Sequence, residues 1–209
     1  MPKRLSEIDT IIFDLGEVIV DLDPQAVIEE FSRLTSGRGK DLRELIVGSP
    51  YLYRYETGQI DDAQFVDEIN QLFDSQISLS DFEYAWNLMI KGISSGRLEL
   101  MQKLMETHRV LILSNTNAMH ERYFDSMVIS LAGKPMKDFS HTAYYSHLIG
   151  YRKPNADIYE FIIEDQGFDP KRSLFLDDKI ENIEAARGVG INAEQVQFPD
   201  QIFEILIHD

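Results

Sequence analysis

Short runs of apolar, β-branched and aromatic residues recur along the chain: TIIFD (10–14), RVLILS (109–114), TAYYS (142–146), SLFLD (173–177) and, more weakly patterned, AEQVQF (193–198). Runs this brief and this continuously apolar fit strands buried on both faces, as in a parallel sheet covered by helices. Helical patterns follow most of them. RLELMQKLMET (97–107) sets Leu100, Met101, Leu104 and Met105 on one stripe, PNADIYEFIIEDQ (154–166) opens on proline and stops at Gly167, and 181–187 runs into Gly188. Proline at a helix start and glycine past its end are the expected punctuation. The alternation predicts an α/β fold, a doubly wound, Rossmann-like, mainly parallel sheet.

One stretch breaks the alternation. Residues 24 to about 93 carry four helical patterns and no convincing strand. The first opens with Asp23 as N-cap and Pro24 at the first helical position, burying Val27, Ile28, Phe31 and Leu34. The third, DDAQFVDEINQLF, carries Phe65, Val66, Ile69, Leu72 and Phe73; the fourth starts after Ser80 and holds Phe82, Trp86, Met89 and Ile90. The prediction is a helical cap at 23–96, inserted after the first strand of a core made from 1–22 and 97–209. Its hinges fall at Asp21 to Asp23 and Ile93 to Gly96. Tyr51, Tyr53 and Tyr55 are placed in a turn between cap helices.

Composition narrows the function. The 209 residues carry a formal net charge of −16 and no Lys/Arg block, which argues against a nucleic-acid partner, since such binding needs clustered cations against phosphates. No cysteine is present, which excludes disulfides and thiolate metal sites. The start, MPKRLSEIDTIIFDLG, has acids too early for a signal peptide, and no stretch is long enough to cross a membrane, so a cytoplasmic protein acting on a small molecule is expected. An anionic substrate would be repelled by the overall field and needs local cations to enter.

In an open parallel sheet, ligands bind at the carboxyl ends of the strands, near the switch in strand order. The polar residues collect there: Asp14 ends the first strand, Ser114 the second, with Asn115 and Thr116 behind it, Arg152 and Lys153 follow the third, and Asp177 and Asp178 end the fourth. Singly, each has a structural explanation in turns and helix caps. Jointly, three carboxylates in one crevice repel each other without a cation. Hard oxygen ligands suit Mg²⁺, which also accepts phosphate oxygens. A hydroxyl and a lysine on the opposite rim can hold the other phosphoryl oxygens, and an aspartate beside the ion can attack phosphorus.

These residues resemble the haloacid dehalogenase-like hydrolase superfamily over nearly the whole chain. FDLGEVIVDLD matches its first motif, VLILSN the second, GYRKP the third and FLDDKIENIEAA the fourth, in order. The combination is most similar to the capped branch containing bacterial sugar-1-phosphate phosphatases. The resemblance implies Asp14 as nucleophile, Ser114 and Lys153 as phosphoryl-holding groups, and Asp14, the Gly16 carbonyl, Asp178 and Asp177 as the Mg²⁺ group. Ser114, Asn115, Lys153, Tyr55 and Glu56 are the expected substrate contacts, the last two from YRYETG (53–58) facing the crevice. Phosphatases of this family generally carry a second aspartate two residues after the nucleophile as general acid and base; here that position is Gly16.

The function expected is a Mg²⁺-dependent phosphomonoesterase of a small metabolite, a sugar phosphate among the candidates. A 2-haloacid dehalogenase and a catalytically silent phosphate-binding protein on the same fold are the alternatives. A phospho-receiver signalling domain fits less well, because its acidic pair belongs to the first strand. GVG (188–190) follows a helix and reads as its C-cap, and His120, just past the second motif, belongs either at a surface helix position or near the site.

Overall fold

The computed structural model describes residues 5–35, 37–38 and 46–207. Five strands form one parallel sheet: β1 (Thr10–Phe13), β4 (Arg109–Ser114), β5 (Thr142–Tyr145), β6 (Ser173–Asp177) and β7 (Asn192–Gln195). Their order is β5-β4-β1-β6-β7, so β1 lies at the centre and the chain reverses direction across the sheet there. Thr10 to Phe13 pair with Arg109 to Ile112 on one side and Ser173 to Leu176 on the other, which brings the carboxyl ends of β1, β4 and β6 together.

Alternation along these strands makes two cores. Ile11, Phe13, Val110, Ile112, Leu174 and Leu176 pack on one face against α5 (Ser95–Leu104), α6 (Ala118–Ala132) and α10 (Gln201–Ile207). Ile12, Leu111, Leu113 and Phe175 pack on the other against α8 (Ala156–Gln166) and α9 (Ile180–Gly188). A strand that turns successive residues to opposite faces must be apolar throughout to serve both, which is why these runs show no polar alternation.

Between β1 and β4 lie α1 (Pro24–Leu34), α2 (Pro50–Glu56), α3 (Asp62–Phe73) and α4 (Leu79–Asn87). Asp23 caps α1 by accepting from the Ala26 amide, with Pro24 at its start, as the sequence predicts. α3 carries a reciprocal capping box between Asp61 and Gln64. These helices bury their own aromatic cluster. Tyr55 stacks on Phe65 at 4.3 Å, and Phe31 and Phe65 meet Phe82 edge-on at 5.0 and 5.7 Å. Met119 of α6 is fully buried in that cluster, so the sheet unit reaches into the helical layer.

Three expectations are corrected. Tyr51, Tyr53 and Tyr55 lie in α2 rather than a turn, because Ser49 caps it and Pro50 starts it. α4 begins at Leu79 after Ser78 and ends at Asn87, so Met89 and Ile90 fall outside it. Ile90–Ile93 forms β3, which pairs antiparallel with β2 (Val20–Leu22), where no strand was expected. The short helix α7 (Ser146–Ile149) follows β5. No helix among the described residues is long and apolar enough to cross a membrane.

Candidate active site

Asp14 directly follows β1, its amide bonded to the Leu176 carbonyl at 2.9 Å, so the central strand fixes where its carboxylate sits. The fully buried ammonium of Lys153 reaches Asp14 Oδ1 at 2.8 Å and Asp177 Oδ2 at 2.6 Å. Oxygens of Asp14, Asp177 and Asp178 all lie within 4.8 Å of one another. Burial pushes the Asp14 carboxyl up to about 6 against the pull of Lys153. Burial also works to lower the Lys153 pKa, but the Asp14 and Asp177 carboxylates outweigh it and hold the ammonium above its ordinary value. Burial and neighbouring Asp177 raise Asp178.

Asp177 is fully enclosed. Besides Lys153, it accepts from the Lys179 amide at 2.8 Å and from Asn182 Nδ2 at 2.8 and 2.9 Å. Asp178 is half-buried and belongs to the open side. The Gly16 carbonyl accepts from no backbone amide among the described residues.

Ser114 is buried at the end of β4. The loop after it is tied to the lysine: Asn115 Nδ2 donates to the Lys153 carbonyl and the Lys153 amide donates to Asn115 Oδ1, both at 2.9 Å. One N–H and one oxygen lone pair of the Asn115 carboxamide are thus engaged in placing Lys153. Ser146 fixes the same loop by donating to the Thr116 carbonyl at 3.1 Å and accepting from its amide at 3.0 Å.

Beside these groups opens a cavity of about 260 Å³, lined by Gly16, Ser114, Asn115, Arg152 and Lys179 from the sheet unit and by Leu52, Glu56, Trp86 and Met89 from the helical layer. Of the two residues of 53–58 expected at the substrate, the structure brings only Glu56 to this cavity, where its carboxylate meets Arg152 Nη2 at 2.8 Å. Tyr55 is turned away; its hydroxyl donates to Asp62 at 2.6 Å and its ring is buried on Phe65. Of the two places open to His120, the structure has the one near the site: it lines the cavity, stacks on Trp86 at 5.5 Å and donates from Nε2 to the Trp86 carbonyl at 3.1 Å. Burial lowers its pKa to about 4, so the ring is neutral. Trp86 and Asn182 are site components that the sequence does not single out: Trp86 reads as core of a cap helix and reaches His120 only through tertiary packing, and Asn182 reads as an ordinary position of the helix after Asp178.

The family model described as haloacid dehalogenase-like hydrolase matches residues 8–190. The chain belongs to that family. Among relatives of this haloacid dehalogenase-like hydrolase is the D-ribitol-5-phosphate phosphatase of Bacteroides thetaiotaomicron, 27% identical over 188 residues and covering 90% of this chain and 91% of that protein. A family enzyme of the same organism, solved as a magnesium complex, superposes with a TM-score of 0.88 at 27% identity, covering 97% of this chain and 100% of that one. Solved with magnesium and inorganic phosphate, it matches at 0.82 and 29%, covering 90% and 93%.

Proposed function

We propose that this hydrolase is a Mg²⁺-dependent phosphomonoesterase of a small sugar or polyol phosphate, working through an aspartyl-phosphate on Asp14. The observation that carries this reading is a strand-end carboxylate bridged by a buried lysine, with two more carboxylates within reach of one cation. The magnesium and phosphate complexes of the similar enzyme and the phosphatase relative support it.

The residues fit the metal. Three carboxylates crowd one point with a single buried ammonium among them, and the Gly16 carbonyl is free of backbone donors. Asp14, the Gly16 carbonyl and Asp178 would hold Mg²⁺. Asp177 would join them only by exchanging a bond to Lys153 or Asn182, and otherwise stands behind them as the anchor of Lys153. The ion supplies charge neutralisation for the carboxylates and the phosphoryl oxygens.

In the first step an Asp14 oxygen attacks phosphorus, the ester P–O bond breaks, and the alcohol departs. Lys153 and Ser114 hold the phosphoryl oxygens as charge spreads over them. Water then attacks phosphorus, releasing phosphate and restoring the Asp14 carboxylate. Gly16 supplies no proton to the departing oxygen. Glu17 is a poor substitute, since its Oε1 accepts from the Leu22 amide at 3.0 Å. Glu56 on the cavity wall is engaged as the carboxylate partner of Arg152, so the proton comes from water or from a neighbouring substrate hydroxyl. We further propose that 23–96 acts as a cap excluding bulk water from the intermediate; residues 36 and 39–45 of that range, like 1–4 and 208–209 of the proposed core, lie outside the described residues.

The test is phosphate release from a panel of phosphorylated metabolites, with Mg²⁺ and with chelator. Metal-dependent turnover that vanishes in Asp14→Asn is expected. Substantial Asp14→Asn activity would overturn the covalent route, and chelator-insensitive halide release from a 2-haloacid would favour a dehalogenase.

A further inference from the structure

The cavity holds a feature that phosphoryl transfer does not use. Arg152 follows β5 and lies beside Lys153, while Glu56 is the last residue of α2; the two meet across the cavity at 2.8 Å, with side chains 23% and 13% exposed. Their contact lacks hydrogen-bond alignment, leaving Glu56 Oε2 and Arg152 Nε buried without hydrogen-bond partners. Trp86, on the same wall, has an indole Nε1 that is also buried without an acceptor. Tyr53 flanks Arg152, its ring 5.8 Å from the guanidinium carbon.

Such a pair has a definite chemical preference. An uncovered guanidinium in a cavity would bind a second carboxylate or phosphate in a forked geometry. Here Glu56 already answers that charge, and its own negative charge stands against any further anion. Lys179, the other cation on the wall, follows Asp178 in the chain and, like Arg152, draws on the Glu56 carboxylate. With Arg152 taken by Glu56, the polar partner this wall can still meet is a neutral one, and a hydroxyl, which both donates and accepts, is such a group.

Resting on the phosphomonoesterase reading, we infer that the Glu56–Arg152 pair is a charge filter that admits neutral, hydroxylated leaving groups and rejects phosphate esters bearing a second anion. Glu56 is the element that repels, and Arg152 is the site that an acid would occupy if Glu56 were absent.

The experiment compares neutral and acidic esters of equal chain length, with Mg²⁺: glycerol 3-phosphate against 3-phosphoglycerate, and ribitol 5-phosphate against 5-phosphoribonate. Wild type should favour the neutral member by about tenfold or more in kcat/KM, because a second carboxylate would be desolvated beside a guanidinium already taken by Glu56. Glu56→Gln should narrow that preference at least ~10-fold, mainly through a lower KM for the acid. Arg152→Gln should widen it, because Glu56 then stands unneutralised. A uniform loss across both members in both variants would mean a purely structural pair and overturn the inference. So would equal use of both members by wild type, or cleavage of p-nitrophenyl phosphate with neither neutral ester accepted. If wild type releases phosphate from none of these compounds, the phosphomonoesterase reading itself fails, and the filter with it.

Discussion

Gly16 leaves space beside the nucleophile that Leu22 partly closes. A Cβ built on Gly16 would lie 3.1 Å from Leu22 Cδ1, the end of a flexible side chain, so Gly16→Asp needs only a small shift there. The variant would restore an acid at the family's usual position. A positioned acid contributes about 10² to 10⁴ in rate, most of it for poor leaving groups. The natural protein should therefore cleave aryl phosphates readily, anomeric phosphates next and ordinary alkyl phosphates slowly, and Gly16→Asp should accelerate the alkyl class most. Steady-state rates on the three classes check this; equal rates at a chemistry-limited step would show that an efficient acid already exists. His120 offers a second test at this scale. Its folded pKa is depressed from 6.5 to about 4. Below 6.5 the unfolded chain takes up a proton that the folded ring refuses, so stability falls as pH drops from 6.5 towards 4. The loss should amount to at most about 3 kcal/mol, by linkage at roughly 1.4 kcal/mol per pH unit. Urea titrations of wild type and His120→Gln should diverge over that window alone, with the variant flatter.

At the scale of elements, the strand ends were readable because each combines a continuous apolar run with an abrupt polar stop. Asp14, Ser114 and Asp177 emerge from such runs, and the parallel register does the rest. β3 was not readable. IKGI has a glycine and an exposed lysine in four residues and follows an amphipathic helix, so its partner β2 defines it more than its own composition does. α2 was read as a turn although Ser49 and Pro50 announced a helix start, because three tyrosines at alternate positions suggested no helical stripe. Where α2 ends, Gly58 has φ +68°, and a Cβ there would come within 2.2 Å of the His147 carbonyl oxygen. Backbone meets backbone at that point, with no soft side chain to yield. Gly58→Ala should cost about 2 kcal/mol or more, combining left-handed strain with the clash. A melting curve reads the cost, and hydrogen exchange should show it concentrated in α2 and α7; an unchanged melting temperature would mean the close approach is not maintained in solution.

For the whole molecule, charge sets the conditions. A chain of net −16 that gathers three carboxylates about the single Lys153 ammonium keeps an excess of negative charge there that a metal ion would relieve. Mg²⁺ should raise the melting temperature, by the equivalent of about 2.7 kcal/mol at a concentration one hundred times its Kd. Asp178→Ala should lose most of that increment while keeping its metal-free stability or gaining slightly, which differential scanning calorimetry with and without the ion would show. The global layout was legible, since a helical block between two buried strands has few places to go. The Glu56–Arg152 and His120–Trp86 contacts were not, because each joins the two units through tertiary packing that no local pattern records.

The antiparallel pair β2–β3 has a consequence of another kind. Chain leaves the sheet unit at Leu22 and returns at Ile90, and these two residues are partners in the same ladder. Arg97 clamps the outgoing side, reaching the Ile19 carbonyl at 3.2 Å, Asp21 at 2.8 Å and Asp200 at 3.0 Å. The chain between is therefore an insertion in topological terms, since a short turn would reconnect its ends at little closure entropy. Exchange of that segment would replace the cavity wall that Leu52, Glu56, Trp86 and Met89 supply, while the pairing of β1 with β4 and β6 that sets the strand ends lies outside it.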